Sequence, residues 1–283
     1  MNDTAVARVA TRAVHERTFR THDSLDLFYR HWPATTPKVR GAIVMFHRGH
    51  EHGGRMAHLP AEFDLPDFDF FAWDARGLGR SPGPRGDATG IATLTRDAQS
   101  FIDHIVAAHG FTIEDIGVVG QSVGAVLVAA WVHDYAPRIR CMVLASPAFK
   151  VKLYVPFARA GLATMYKLRG NFFVNSYVKA KFLTHDPERI ASYDADPLIT
   201  RPISVRLLLG LYETAERVVD QYRPRGESGG SGAASASASS LVAPWACAAR
   251  RSGVATGASN WRRTNARALA IACARSFSPS VSW

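Results

Sequence analysis

The run Ile116-Gly117-Val118-Val119-Gly120-Gln121-Ser122-Val123-Gly124-Ala125 limits what this chain can fold into more than any other stretch. An apolar segment ends in G-x-S-x-G and passes at once into Ala125-Val126-Leu127-Val128-Ala129-Ala130-Trp131. This reads as a strand, a tight turn and a helix, with one serine at the turn. A strand and a helix that converge so sharply leave no room for Cβ atoms, which accounts for Gly120 and Gly124, and the serine must take a strained backbone conformation to stand clear of the sheet. The helix that starts just after it supplies unpaired N–H groups for a developing oxyanion. The bland alternative is a strand-to-helix turn with a capping serine. The strand before and the helix after favour a displayed nucleophile.

The flanking sequence supplies the rest of a sheet. Leu25 to Trp32 alternates in the manner of a half-exposed strand and stops at Pro33. Gly41 to Phe46 is a continuous apolar run, as in a strand buried on both faces, and Phe68 to Trp73 reads as another strand. Leu94 to Ala108 has the helical period and closes at Gly110. Arg140 to Ala145 is a further buried strand. Strands alternating with helices imply an α/β fold with a mostly parallel sheet and right-handed crossovers. From Phe149 to Asp220 strand-like runs vanish, and aromatics interleave with lysines and arginines. That segment is expected to be a helical lid lying over the sheet. The predicted organisation is a leader over 1–18, a core over 19–148, the lid over 149–220 and a basic tail over 221–283.

Charge must be located before it is interpreted. The net charge is +10, but the tail from Gln221 onward carries eight arginines against one acid, Glu227. The excess therefore sits in a segment dominated by alanine, serine and glycine, and no nucleic-acid partner is expected. Three cysteines without regular spacing fit a reducing compartment, and no run approaches the ~20 apolar residues of a membrane span. The expected setting is the cytoplasm, with peripheral contact at the inner membrane face through the lid as an open alternative to a solvated amphipathic helix pair. No cofactor is expected, and oligomeric state is left open.

Three motifs, in order, carry a resemblance. His47-Arg48-Gly49-His50-Glu51-His52 resembles an H-G-x-x-E-H oxyanion loop, with Arg48 where glycine is usual. Asp74-Ala75-Arg76-Gly77-Leu78-Gly79-Arg80-Ser81 resembles a D-x-R/H-G-x-G-x-S loop, and Gly120 to Gly124 resembles a nucleophile elbow. Together they resemble the α/β-hydrolase superfamily, and within it the monoglyceride lipase and lysophospholipase branch, also described as serine aminopeptidase-like. The resemblance covers about residues 20–220. It implies an α/β-hydrolase fold, a small-molecule lipid ester as substrate, Ser122 as nucleophile, and the Val123 and Gly49 N–H groups as oxyanion donors. Asp74 and Arg76 are read as ties within a Gly-rich turn. His47, His50 and His52 are read as loop hydrogen-bonding groups rather than metal ligands, because Cys or Asp partners at ligand spacing are missing.

Serine needs a base to take its proton, and an acid to orient that base. In this superfamily the order is Ser, then Asp or Glu, then His. Downstream of Ser122 the only histidines are His133 and His185, and neither position resembles the family's base. After Asp220 there is no histidine, and two further strands are also missing. The fold is therefore expected to be incomplete at its C-terminal edge, with β-edge exposure as a liability. The expected function is that of a serine ester hydrolase with incomplete machinery; the rivals are a non-catalytic lipid-binding module and a non-functional truncated hydrolase. The tail is either a natural disordered segment or the product of a reading-frame change near Gln221, and the abrupt break in composition favours the frame change. Translating the coding DNA beyond codon 220 in the other two frames is expected to yield an Asp at a strand end followed by a His. Neither frame doing so would sink that reading.

Overall fold

The structure is a computed structural model and describes residues 12–150, 157–175, 178–221 and 269–272. Its spine is a seven-stranded sheet in the order β1-β2-β4-β3-β5-β6-β9. The strands are β1 (His15–Arg20), β2 (Asp26–Trp32), β3 (Gly41–Phe46), β4 (Phe68–Trp73), β5 (Ile116–Gln121), β6 (Cys141–Ala145) and β9 (Leu269–Ala272). The central four, β4-β3-β5-β6, are parallel, with Ile43 opposite Phe70 and Gly117, and Val119 opposite Val143. β1 and β2 form an antiparallel hairpin, and β2 joins β4 antiparallel.

The helices are α1 (Leu59–Glu62), α2 (Ile91–His109), α3 (Val123–Tyr135), α4 (Ala158–Arg169), α5 (Pro187–Asp194) and α6 (Val205–Gln221). α2 lays its apolar stripe on one sheet face, where Phe101 lies 4.7 Å from Phe19, 5.4 Å from Tyr29 and 6.0 Å from Trp73, centroid to centroid. It stops at Gly110, whose φ of 73° is the left-handed cap a glycine takes readily. α3 is apolar nearly all round, and it is buried between the sheet and its neighbours α2 and α6. Trp131 secures that packing by donating Nε1–H to Gln99 Oε1 at 2.8 Å. The opposite face of the sheet is closed by Met56 against Trp32, Met45 and Phe70.

Four sequence expectations are corrected. The boundary placed between a leader and the core at residue 18 falls inside β1. This edge strand buries only Phe19, so it carries no apolar alternation to read. The lid is not wholly helical, because β7 (Phe173–Asn175) and β8 (Pro202–Ser204) pair antiparallel. Three residues each are too few to show a period. Its last helix, α6, does not lie over the sheet but packs on α2 and α3, with Leu211 and Ala215 inside the main core. The edge of β6, expected to be open, is paired antiparallel by β9, with Val143 opposite Ile271. An apolar four-residue run without proline suits a free edge. The parallel strands that the family would add beyond β6 are absent among the described residues. The low-complexity stretch from Ser228, along with Tyr154 and Tyr177 of the lid, lies outside those residues. No described helix is long and apolar enough to cross a membrane.

The aromatic cluster on α2 sets a test of the core. Phe101 has no exposed surface, so Phe101→Ala is expected to cost about 3–5 kcal/mol. Urea unfolding monitored by tryptophan fluorescence reads this, and a loss below about 1 kcal/mol would show that the helix does not pack as described.

Candidate active site

Ser122 stands at the junction of β5 and α3 with φ 55° and ψ −111°, a backbone conformation that side-chain-bearing residues avoid. The packing that enforces it is visible on both sides. A Cβ on Gly120 would lie 2.6 Å from the Gly124 carbonyl oxygen and 2.7 Å from Ala125 Cα. A Cβ on Gly124 would lie 2.4 Å from the Phe46 carbonyl oxygen and 2.5 Å from that of His47. Helix α3 therefore starts in direct contact with the end of β3. The bend is tied down by the Ser122 N–H donating to the Ala145 carbonyl at 2.9 Å, while the Ser122 carbonyl accepts from Ala148 N–H at 3.2 Å. Among the described residues nothing is hydrogen-bonded to Ser122 Oγ.

The loop after β3 comes to rest against this elbow. Gly49 lies so close to Val123 that a Cβ on it would meet Val123 Cγ2 at 2.9 Å. Neither the Gly49 N–H nor the Val123 N–H donates to a described residue, so two backbone donors are unspent beside Ser122. Below them opens an apolar cavity of about 70 Å³, walled by Ile91 and Leu94 of α2, Leu127 of α3, Ile203, and Leu207 and Leu211 of α6. That is room for several waters or a short hydrocarbon segment.

The three histidines of the loop are all engaged. His47 Nε2 accepts from Ala75 N–H at 3.0 Å, so its proton sits on Nδ1, which donates to the Arg48 carbonyl at 2.7 Å. His50 Nδ1 donates to the Thr200 carbonyl at 2.7 Å, and Thr200 N–H returns a bond to the His50 carbonyl at 3.0 Å. His52 accepts from Gly54 N–H at Nδ1 and donates from Nε2 to Asp196 at 3.0 Å. His50 and His52 thus fasten the loop to the segment between α5 and β8. Arg48 reaches Glu51, which is buried, at 2.8 Å.

Asp74 holds the motif after β4 from the inside. It is fully buried and accepts from Arg30 Nη1 at 2.9 Å, Gly53 N–H at 2.7 Å and Arg80 N–H at 2.8 Å. Arg76 bridges Asp97 and Asp23, which hold its guanidinium well above the usual arginine range. His133 lies on α3 beside Asp134 and Arg217, and His185 is exposed in the lid. The structure brings neither to Ser122. Sequence reasoning missed Asp196 and Thr200, because nothing in a lone Asp or Thr of the lid signals a partner some 150 residues earlier. It also missed the cavity wall from α6, whose leucines show a helical period without telling which core they enter.

These relationships have counterparts in known proteins. The family model described as serine aminopeptidase, S33 matches residues 37–224. Over 209 residues the chain is 56% identical to the uncharacterized protein YnbC of Escherichia coli K12, which covers 74% of the chain but only 36% of YnbC. The chain thus spans about a third of that relative's length. It is 30% identical over 208 residues to a monoacylglycerol lipase of Mycolicibacterium smegmatis, covering 71% of this chain and 72% of the lipase. A soluble variant of the Saccharomyces cerevisiae monoglyceride lipase, solved with a substrate analog, shares the fold at TM-score 0.63 and 20% identity, over 74% of this chain and 71% of that one.

Burial pushes the His47 imidazole below its usual pKa, since charging it costs solvation that the Arg48 carbonyl only partly replaces. The unfolded chain then takes up a proton near pH 6.5 while the folded chain does not, so stability present above that pH is lost as pH falls below it. Protonation would also set an Nε2–H against Ala75 N–H. Thermal unfolding between pH 7.5 and 5 is expected to show a falling Tm whose slope is reduced in His47→Gln. An unchanged slope in that variant would refute the assignment.

Proposed function

Because this chain belongs to the serine aminopeptidase S33 family of α/β-hydrolases, we propose that it acts on carboxylic esters of lipids, in the manner of monoacylglycerol lipases and lysophospholipases, with machinery incomplete in this chain. The observation that carries this is the strained bend at Ser122 beside two unspent N–H donors and an apolar cavity. Ser122 Oγ would attack the ester carbonyl, and the carbonyl oxygen, becoming an oxyanion, would accept from the Gly49 and Val123 N–H groups. Collapse would expel the alcohol and leave an acyl-Ser122 ester, which water would hydrolyse. The acyl chain would enter the cavity between α2, α3 and α6.

The weak link is the proton on Ser122. Among the described residues no imidazole reaches it, the sequence beyond 220 offers none, and the family match ends at 224. These facts support a loss of base and acid together, and they support the frame-change reading of the tail. Without a base, turnover is expected to fall by roughly 10⁴–10⁶. The lid's exposed Phe157, Leu168 and Phe182, with Lys167, Arg169 and Lys181 around them, support contact with an anionic lipid surface, aromatic and aliphatic groups inserted and cations at the headgroups.

Labelling by a fluorophosphonate probe tests the reading. Slow labelling is expected, lost in Ser122→Ala and accelerated by added imidazole, which supplies the missing base from solution. Labelling indifferent to imidazole would mean that the chain holds its own base, and no labelling at all would favour the lipid-binding module. In the same preparation the protein is expected to pellet with anionic vesicles and not with neutral ones.

A further inference from the structure

The end of the parallel strands opposite Ser122 gathers a second set of chemistry-bearing side chains that the proposed reaction does not use. Asp69 stands at the start of β4, while Ser122 follows the far end of β5. His31 of β2 pairs with Phe71 of β4 in antiparallel register, and its ring stacks on that of Phe71 at 4.4 Å. On the same face His31 Nε2 donates to Asp69 Oδ2 at 2.7 Å, and Asp69 Oδ1 accepts from Ala34 N–H at 2.7 Å. His109, the last residue of α2, meets His31 edge to face at 4.7 Å. The Tyr29 hydroxyl fixes that ring from the other side, 3.1 Å from His109 Nε2. One donor atom from each of His31, Asp69 and His109 falls within 4.8 Å of the other two, with His31 and Asp69 buried and His109 half-buried.

We infer that His31, Asp69 and His109 form a site for a divalent transition-metal ion, zinc(II) being the best match, which clamps the C-terminal end of α2 to β2 and β4. Two imidazoles and one carboxylate are a zinc-type donor set, whereas calcium and magnesium take oxygen ligands. Ligand atoms about a tetrahedral zinc ion stand roughly 3.4 Å apart, so small side-chain rotations at the helix end close the set. The ion takes the place of the proton between His31 Nε2 and Asp69. That proton passes to His31 Nδ1, a buried nitrogen that has no hydrogen-bond partner, so the imidazole stays neutral and changes tautomer. The carbonyl end of α2 favours a cation there. Tyr29 acts as the outer partner that orients a ligating histidine. Water completes the coordination from the half-exposed side of His109.

The full chain, stripped by a chelator, is titrated with cobalt(II) and with zinc(II). The expected result is the visible d–d absorption of a tetrahedral cobalt(II) centre, and a Tm raised by several degrees in excess zinc(II). His109→Gln is expected to bind cobalt(II) at least tenfold more weakly and to lose the Tm shift, while His104→Gln, which alters the neighbouring histidine on Tyr29, keeps both. Asp69→Asn, which keeps an acceptor for Ala34 N–H, is expected to behave as His109→Gln does and decides the matter if that variant does not fold. No cobalt centre in the unaltered chain, or the same response in Asp69→Asn as in the unaltered chain, would overturn the site. Neither readout depends on Ser122, so this inference and the proposed function stand or fall separately.

Discussion

The closeness of α3 to the ends of β3 and β5 is the constraint from which most of this molecule follows. Helix and strands meet backbone to backbone at Gly120 and Gly124, where any Cβ would overlap a carbonyl oxygen. Ser122 is therefore bent into a conformation that costs on the order of 1–3 kcal/mol. That cost is offset by the apolar surface α3 buries on being drawn so deep, with Val126, Ala130 and Trp131 fully covered. The strain is thus a property of the core and does not depend on whether the serine ever reacts. The same approach brings the Gly49 loop against Val123, so the two unspent N–H groups also follow from packing rather than from chemistry.

The loops around the elbow are held by charge that water barely reaches. Asp74 collects one guanidinium and two backbone N–H groups, uniting β2, the turn after the His47 loop and the loop after β4 at a single carboxylate. An ion pair this buried adds little net stability, but removing one partner strands the other and costs about 3–5 kcal/mol. Its value lies in selecting one arrangement of three loops. His50 and His52 extend that arrangement to Thr200 and Asp196, so the loop after β3 and the segment of the lid between α5 and β8 share one hydrogen-bonded network.

What could be read in the sequence is what repeats locally. The buried strand Gly41–Phe46 announces itself as a continuous apolar run, Phe68–Trp73 as an apolar run broken only by Asp69, α2 by its period and its terminal glycine, and the elbow by its spaced glycines. β1 could not be read this way, because an edge strand with only Phe19 inside has no pattern to show. β7 and β8 are too short for any. α6 was legible as a helix, yet its place against α2 and α3 is a tertiary fact that no period encodes. In the site, Ser122, Gly49 and Val123 follow from motif and local geometry, whereas Asp196 and Thr200 join it only through the fold. The same holds for His31 and His109, separated by the whole of β3, β4 and α2 and brought into contact only where the end of α2 packs against β2.

The two ends of the parallel strands therefore stand under different demands. At the end bearing Ser122 the backbone is strained and its N–H donors are left unspent, which a chain tolerates where a ligand or transition state will use them. At the other end, imidazoles, a carboxylate and a phenol satisfy one another almost completely, with His31 Nδ1 as the exception. Burial there pulls the His109 pKa down to about 4, so the ring stays neutral and its lone pair stays available across the physiological range. A neutral, apolar-walled histidine pair beside a carboxylate is stable as a hydrogen-bonded cluster and equally ready to surround a cation. Past Ser122 the edge of the sheet at β6 is covered by the backbone pairing of β9. The hairpin edge, where β1, β2 and the end of α2 converge, is fixed instead by side chains, with Tyr29 and His31 packed on the rings of His104 and His109.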